Sequence, residues 1–486
     1  MKRRRVNLRS VTARRHADRS SPNLGQISAI NSTKIGRAAD RGVRGKRDAL
    51  SERDRTSGGS CAMRCMPNDT IIVSVGDLQV VTAFGDPGLP TDAHGGNDIM
   101  IATVRAGHGV LTLLGDEADL QGRSRGGNDL LVADIEGYGT YAYIDGDAQT
   151  MSGHSRGGND TIYVDASYTT YSSVSVLGDA GNTMSGDARG GNDDITAVMG
   201  NRAFGSFGGD TGYIMSDNAH GGNDILHVTQ AGIYGGATMS RDALYAMSGN
   251  TRGGNDILIY TVGAEARSGG ASLEGDTYYM SDNARGGDDI LIAAVDGNPD
   301  STSIALTGDA SNMSGNTQGG NDILLGGERG DWLYGDARIY APTAPGSITG
   351  GRDLLSGGGG NDQLWGGPNN DLFVFGTGSG QDVINDFDQG NKAVGSMVRE
   401  HDVIDVHAYG FAGWADLKSL ISDDGRRQCG DPADGQRHDH AGRHPCRRSQ
   451  CQGLHRLRRG SPEGNRIWEI RLWPSFETPA VGGPSG

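Results

Sequence analysis

Gly357-Gly358-Gly359-Gly360-Asn361-Asp362-Gln363-Leu364-Trp365 is the stretch on which the fold turns. It matches the nine-residue pattern G-G-x-G-x-D-x-U-x, where U is a large apolar residue, at every defined position. The next nine residues, Gly366 to Val374, keep Asp371 and Phe373 but place Asn369 where glycine is expected. Asparagine tolerates positive φ better than most residues, so that departure is mild. Upstream, Gly326 to Tyr334 keeps Asp331 and Leu333 but carries Arg329 at the fourth position, a less comfortable fit. Asp322 and Asp353 fall at the sixth position of adjoining nonamers. The glycines allow tight positive-φ turns that aim carbonyls inward. The aspartate brings charge, and the apolar eighth residue faces the interior.

Further upstream the same signature is stretched. A Gly-Gly-Asn/Asp-Asp block begins at Gly95, Gly126, Gly157, Gly190, Gly221, Gly253, Gly286 and Gly319, at intervals of 31, 31, 33, 31, 32, 33 and 33 residues. Each block leads into a short apolar run such as Ile99-Met100-Ile101 or Leu130-Leu131-Val132. Most are preceded by a Gly-Asp step, as at Gly115-Asp116, Gly146-Asp147, Gly178-Asp179, Gly275-Asp276 and Gly308-Asp309. A Met-Ser pair often lies between the two, as at Met151-Ser152, Met184-Ser185 and Met313-Ser314. The unit therefore alternates Gly/Asp turns with three-to-five-residue strands. Strands that short are stable only when coil stacks on coil and a thin apolar strip is buried between them. A flexible glycine-rich linker has no reason to keep Asp and Ile/Leu in register.

Composition agrees. The chain of 486 residues holds 82 glycines and only 6% aromatics, without the G-X-Y period of collagen. Residues 1–64 carry 17 Lys/Arg against 5 Asp/Glu, and residues 424–486 carry 11 against 7. That leaves 16 against 48 for residues 65–423, a net charge of −32. Self-repulsion opposes compaction of such a segment, so it needs cations. Cys61, Cys65, Cys429, Cys446 and Cys451 all lie in or beside the tails, which points to metal as the staple in place of disulfides. No run of 18 apolar residues is present, so no transmembrane helix is expected. Lys2-Arg3-Arg4-Arg5 looks like the start of a signal peptide, but no apolar segment follows it.

The residue types point to calcium, a hard cation that takes 6–8 oxygens from carboxylates and carbonyls. The leading ligand candidates are Asp331, Asp353, Asp362 and Asp371, with Gly358 and Gly360 as carbonyl donors. Next come Asp98, Asp129, Asp160, Asp193, Asp224, Asp256, Asp289 and Asp322, one from each block.

On these motifs residues 75–375 resemble the hemolysin-type RTX calcium-binding repeats. Residues 376–423, with Gly378-Ser379-Gly380-Gln381-Asp382-Val383-Ile384-Asn385-Asp386-Phe387-Asp388 and His401-Asp402-Val403-Ile404-Asp405-Val406, are similar to the region that follows the repeats in serralysin-type secreted proteins (peptidase M10). The resemblance implies an all-β, right-handed parallel β-roll that binds several calcium ions. It also implies a type I secretion apparatus as partner, export in an unfolded state, and folding on meeting extracellular calcium. The expected divisions are a basic, disordered or mis-assigned start at 1–65, long repeats at 66–325, nonapeptide repeats at 326–375, a serralysin-like β region at 376–423 and a disordered tail at 424–486.

Several motifs are better absorbed by the repeat. Gly153-His154-Ser155-Arg156-Gly157 fits a G-x-S-x-G nucleophile elbow, but it lies directly before a Gly-Gly-Asn-Asp block with no strand-turn-helix context. Arg329-Gly330-Asp331 spells an integrin-type tripeptide whose Asp already belongs to a nonamer. Gly376-Thr377-Gly378-Ser379-Gly380 lacks dinucleotide-loop spacing. Asp386-Phe387-Asp388-Gln389-Gly390 has Met397 where an EF-hand needs Glu. His438, His440 and His444 with Cys429, Cys446 and Cys451 match no common zinc spacing. From about Arg426 the composition reads as GC-rich DNA out of frame, and a one-base shift permits a more usual RTX ending; an export signal would then be missing from this product. The basic start lacks interleaved aromatics and is not expected to bind nucleic acid; Met63 or Met66 would serve as an initiator.

An RTX enzyme such as a serralysin-like metalloprotease would need H-E-x-x-H, which is absent, so the chain is read as non-enzymatic. A non-catalytic remnant of such an enzyme, or a calcium-dependent surface or biofilm adhesin, are the alternatives.

Overall fold

The computed structural model describes residues 65–410, apart from 264–265, 267–268, 296–302, 345–346 and 388–399, together with the strands Ile421–Cys429 and Cys451–Leu457. The segments 1–64, 430–450 and 458–486 lie outside it, and with them most of both expected tails. Within the expected C-terminal tail the described backbone is the antiparallel pair Ile421–Cys429 and Cys451–Leu457.

Residues 70–405 form a right-handed solenoid of parallel strands, as the repeat predicts. One coil shows how the sequence builds it. After Asn128-Asp129 the strand Leu130–Tyr138 alternates buried and part-exposed side chains, a period of two that lays Leu131, Ala133 and Ile135 against the interior. The chain turns at Gly139, where φ is +65°, into Tyr141–Asp145, which buries Ala142 and Ile144. Gly146-Asp147 turns it again into Ala148–Met151. The next block then starts the following coil directly above, and Leu130 pairs with Thr161. Stacking these coils yields a 12-stranded, an 11-stranded and an 8-stranded parallel sheet.

The cross-section is therefore three-sided over most of its length, which strand-turn periodicity alone does not reveal. The third side is made by the Met-Ser motif. Met151, Met184, Met215, Met247, Met280 and Met313 lie in successive register and are all buried with small alanines such as Ala148, Ala180 and Ala243. Methionine is long and unbranched enough to fill the space left by these small alanines. The other two sheets share a separate Val/Ile/Leu core that runs from Val73 to Phe387.

Where the nonapeptides take over, the third side ends. Its last strand is Ala337–Pro342; beyond it Leu355 pairs with Phe373 only 18 residues on, and the coil is two-sided. The nonapeptide turns have the expected backbone: φ is +87° and +117° at Gly358 and Gly360, +94° and +109° at Gly367 and Asn369. Arg329 does not enter the left-handed region, so its turn closes differently, as its side chain requires. The region after the repeats continues the same two sheets with Val383–Ile384 and Val403–Asp405.

Candidate functional site: buried carboxylate columns

The aspartate that ends each Gly-Gly-Asn/Asp-Asp block is held at the mouth of a long-sheet strand. Its carbonyl receives the first N–H of the strand above, as Leu130 donates to Asp98. Its own N–H donates to Oδ1 of the aspartate in the next coil. The chain of such bonds runs Asp98 to Asp129 (2.7 Å), Asp129 to Asp160 (2.6 Å), Asp160 to Asp193 (2.7 Å) and Asp193 to Asp224 (2.8 Å). It continues through Asp256, Asp289, Asp322, Asp353 and Asp371 to Asp402. Every candidate from Asp98 to Asp322 thus lies in one buried column, and Asp353 and Asp371 extend it. Asp331 and Asp362 do not belong there. They stand on the other edge, in a shorter column that ends at Asp382.

One carboxylate oxygen is left over in most of them, though not in Asp331, whose Oδ1 and Oδ2 accept the N–H groups of Ile304 at 2.9 Å and Gly327 at 2.8 Å. Oδ2 of Asp98, Asp129, Asp160, Asp193, Asp224, Asp256, Asp289, Asp322, Asp353, Asp362 and Asp371 is buried with no hydrogen-bond partner. The neighbouring glycine explains why no side chain fills the space. A Cβ on Gly115 would overlap both Asp129 Oδ2 and the carbonyl oxygen of Gly146, and Gly146 and Gly178 repeat this against Asp160 and Asp193. Carboxylate and carbonyl oxygens converge on these glycines from two coils.

A second column was not foreseen as a site. It is formed by the aspartates of the Gly-Asp steps, from Asp86 through Asp116, Asp147, Asp179, Asp210, Asp242, Asp276 and Asp309 to Asp336, all essentially inaccessible. Each takes an N–H from the second glycine of a block, as Asp116 does from Gly127 at 2.9 Å. Successive carboxyl groups stand close enough along this column to shift one another's pKa. The recurring Gly-Asp step carried the signal in the sequence, where it reads equally well as turn chemistry.

Burial drives these groups far from ordinary carboxylate behaviour. Desolvation first, then neighbouring carboxylates, push Asp129 up to about 9 and Asp371 up to about 10. Desolvation alone dominates at Asp116, pushed up to about 8, and at Asp98, pushed up to about 6. Asp160, Asp193, Asp224, Asp256, Asp289 and Asp322 are raised well beyond the ordinary range by the same causes. An ionised carboxylate is tolerated in such a place only beside a cation.

One coil supplies its own. Where other coils have glycine before the second-column aspartate, Ser240-Arg241-Asp242 has arginine. Its guanidinium is fully buried, donates from Nη1 to the carbonyl of Asp224 and stands 3.9 Å from Asp256 Oδ1. Asp224, Asp256, Asp289 and Asp242 all bear on it electrostatically. A buried guanidinium thus stands against the first column, where burial lowers its pKa and the surrounding carboxylates oppose that shift.

The remaining expected residues are placed as follows. Gly358 and Gly360 form the positive-φ turn over Gly327 and Arg329, and the Gly360 carbonyl accepts the N–H of Gln381 at 3.1 Å. Ser155 of the elbow-like motif is fully buried in the turn before a block, and Asp331 of Arg329-Gly330-Asp331 is equally inaccessible. Among the described residues no three His, Cys, Asp or Glu side chains converge as a ready-made metal cage. The acidic groups are instead strung out one per coil, with carbonyls between. No described helix is long and apolar enough to cross a membrane. No family model matches the chain, and no curated protein or solved structure matches it either.

Proposed function

We propose that the solenoid binds several calcium ions along its carboxylate columns and that its folding is coupled to them. One observation carries this reading. Stacked aspartates on successive coils each bury an oxygen without a partner, beside the carbonyls of Cβ-less glycines. Leaving a buried polar atom unsatisfied costs about 1–3 kcal/mol, and the cost recurs at every coil. A cation shared between coils removes it. The donors suit a hard cation, because the columns offer carboxylate and carbonyl oxygen with no thiolate or imidazole. Ligands spread along a flexible column suit calcium better than magnesium, which demands a near-ideal octahedron. Arg241 supports the same reading, since the coil that lacks the glycine buries a guanidinium 3.9 Å from the Asp256 carboxylate.

The residues that would hold the ions are Asp98 to Asp371 of the first column, the facing second column from Asp86 to Asp336, and Asp331, Asp362 and Asp382 on the far edge. In this reading the protein is a secreted RTX-type repeat protein. It stays open in the calcium-poor cytosol, leaves by a type I route and closes at the 10⁻⁴–10⁻³ M affinities typical of extracellular modules. Circular dichroism and calorimetric titration of the full chain test it. β signal should rise on adding millimolar calcium, fall with a chelator and respond weakly to magnesium. A spectrum indifferent to calcium refutes the proposal.

A further inference from the structure

The residue immediately before each Gly-Gly pair forms an outward ladder of its own. His94, Arg125, Arg156, Arg189, His220, Arg252 and Arg285 pair backbone to backbone in that order, coil above coil. The five arginines are exposed, and among the described residues no carboxylate lies within ion-pair distance of them. His220 feels the row directly: burial, Arg189 and Arg252 lower its pKa, outweighing Asp187, which raises it. Like charges facing each other across strands destabilise a sheet, yet this body of net charge −32 keeps five arginines in one file.

Two features turn the file into a track. Adjacent strands are about 4.8 Å apart, so the arginines recur at that spacing over roughly 24 Å, with His220 at one position between them. Beside them runs a second ladder from Asn97 through Asn128, Asn159, Asn192 and Asn223 to Asn255, each amide oxygen taking the N–H of the next coil. Asn192 and Asn223 also donate one Nδ2 N–H along the ladder, to Asn159 at 3.4 Å and Asn192 at 3.3 Å, which leaves each of these exposed amides a second N–H for a ligand.

We propose that this stripe docks an acidic polysaccharide, a linear polymer with one carboxylate per sugar, laid along the solenoid axis. The spacing fits one charged pyranose per coil, and the asparagines are placed to bond ring and hydroxyl oxygens. A nucleic-acid strand fits less well. Its phosphates recur every 3.4 Å or so along a duplex strand, and single strands are held by stacking on aromatics, which are absent from the ladder positions. The acidic remainder of the surface repels polyanions and confines binding to the track.

The test titrates the full chain in millimolar calcium with octagalacturonate, with maltooctaose and an oligothymidylate alongside. The variant is Arg125→Gln/Arg156→Gln/Arg189→Gln, glutamine already standing at ladder position Gln318. The wild type should bind octagalacturonate in a salt-sensitive way and ignore maltooctaose. The variant should keep its β spectrum, lose about tenfold or more in affinity and lower the log–log salt slope by about three. If its β spectrum is lost, Arg156→Gln alone carries the test with about a twofold loss. No binding of octagalacturonate, unchanged affinity in the variant, or tighter binding of oligothymidylate each overturns the proposal.

Discussion

Replacing Arg241 separates a structural arginine from a built-in counterion. In Arg241→Met the apolar volume is kept and the charge is lost. Asp256, 3.9 Å from the guanidinium, and Asp224, whose carbonyl it binds, then lose a buried cation. Removing one partner of a buried ion pair costs about 3–5 kcal/mol. At about 2 °C per kcal/mol for a body this large, Tm in saturating calcium should fall by roughly 6–10 °C. Arg241→Gly removes the same charge but restores the residue found at Gly209 and Gly275, so an extra ion can enter. At a hundredfold excess over Kd that ion returns about 2.7 kcal/mol, leaving a deficit within about 2 kcal/mol. Calorimetry should count one more calcium in Arg241→Gly than in wild type or Arg241→Met, and its Tm should depend more steeply on calcium. If Arg241→Gly binds no further ion and melts with Arg241→Met, the guanidinium does not hold an ion position.

Acid should replace calcium in part. The carboxylates at Asp98, Asp116, Asp129 and Asp371 are raised to about 6, 8, 9 and 10 in the folded state. The stability they allow without metal is therefore fully present below about pH 4, the unfolded value, and is lost as pH rises through the folded values. In chelator, far-ultraviolet circular dichroism should gain β signal from pH 7.5 to pH 4; a loss of signal would contradict the desolvation argument. Asp129→Asn/Asp160→Asn should raise metal-free β content at neutral pH while lowering the calcium count, and an unchanged count would remove these residues from the ligand set. Gly115→Ala forces a methyl into the Asp129 carboxylate and the Gly146 carbonyl and should destabilise by about 3 kcal/mol or more in urea. Gly376→Ala, with open space around it, should stay within about 0.5 kcal/mol.

The first column was legible because its aspartates sit at a fixed place in an obvious block, each followed by an alternating strand. That register decides burial. The second column was harder, because a Gly-Asp step serves a turn as well as a ligand and only stacking brings Asp116 against Asp147. Equally, nothing local separates Asp331 and Asp362 from Asp353 and Asp371. All four hold the sixth place of a nonamer, and the two-sided coil sends alternate nonamers to opposite edges. The Met-Ser pairs recurred in the sequence without disclosing a third strand, because a methionine's inward aim depends on the alanines packed with it. Arg241 was visible only as a broken Gly-Asp step, and its meaning needs the carboxylates around it.

The change from three-sided to two-sided coils gives the solenoid a direction of assembly. Closing the 18 residues between Leu355 and Phe373 confines less chain than the 31 between Leu324 and Leu355, a saving of about 0.5 kcal/mol in loop entropy per coil. The shortest coils all lie toward the C-terminal end. They are the cheapest nucleus, and each larger coil can then zip onto a finished template instead of forming alone. Pulsed hydrogen exchange during calcium-triggered refolding should find protection at 354–405 before 99–145; the reverse order would mean that local closure does not set the start.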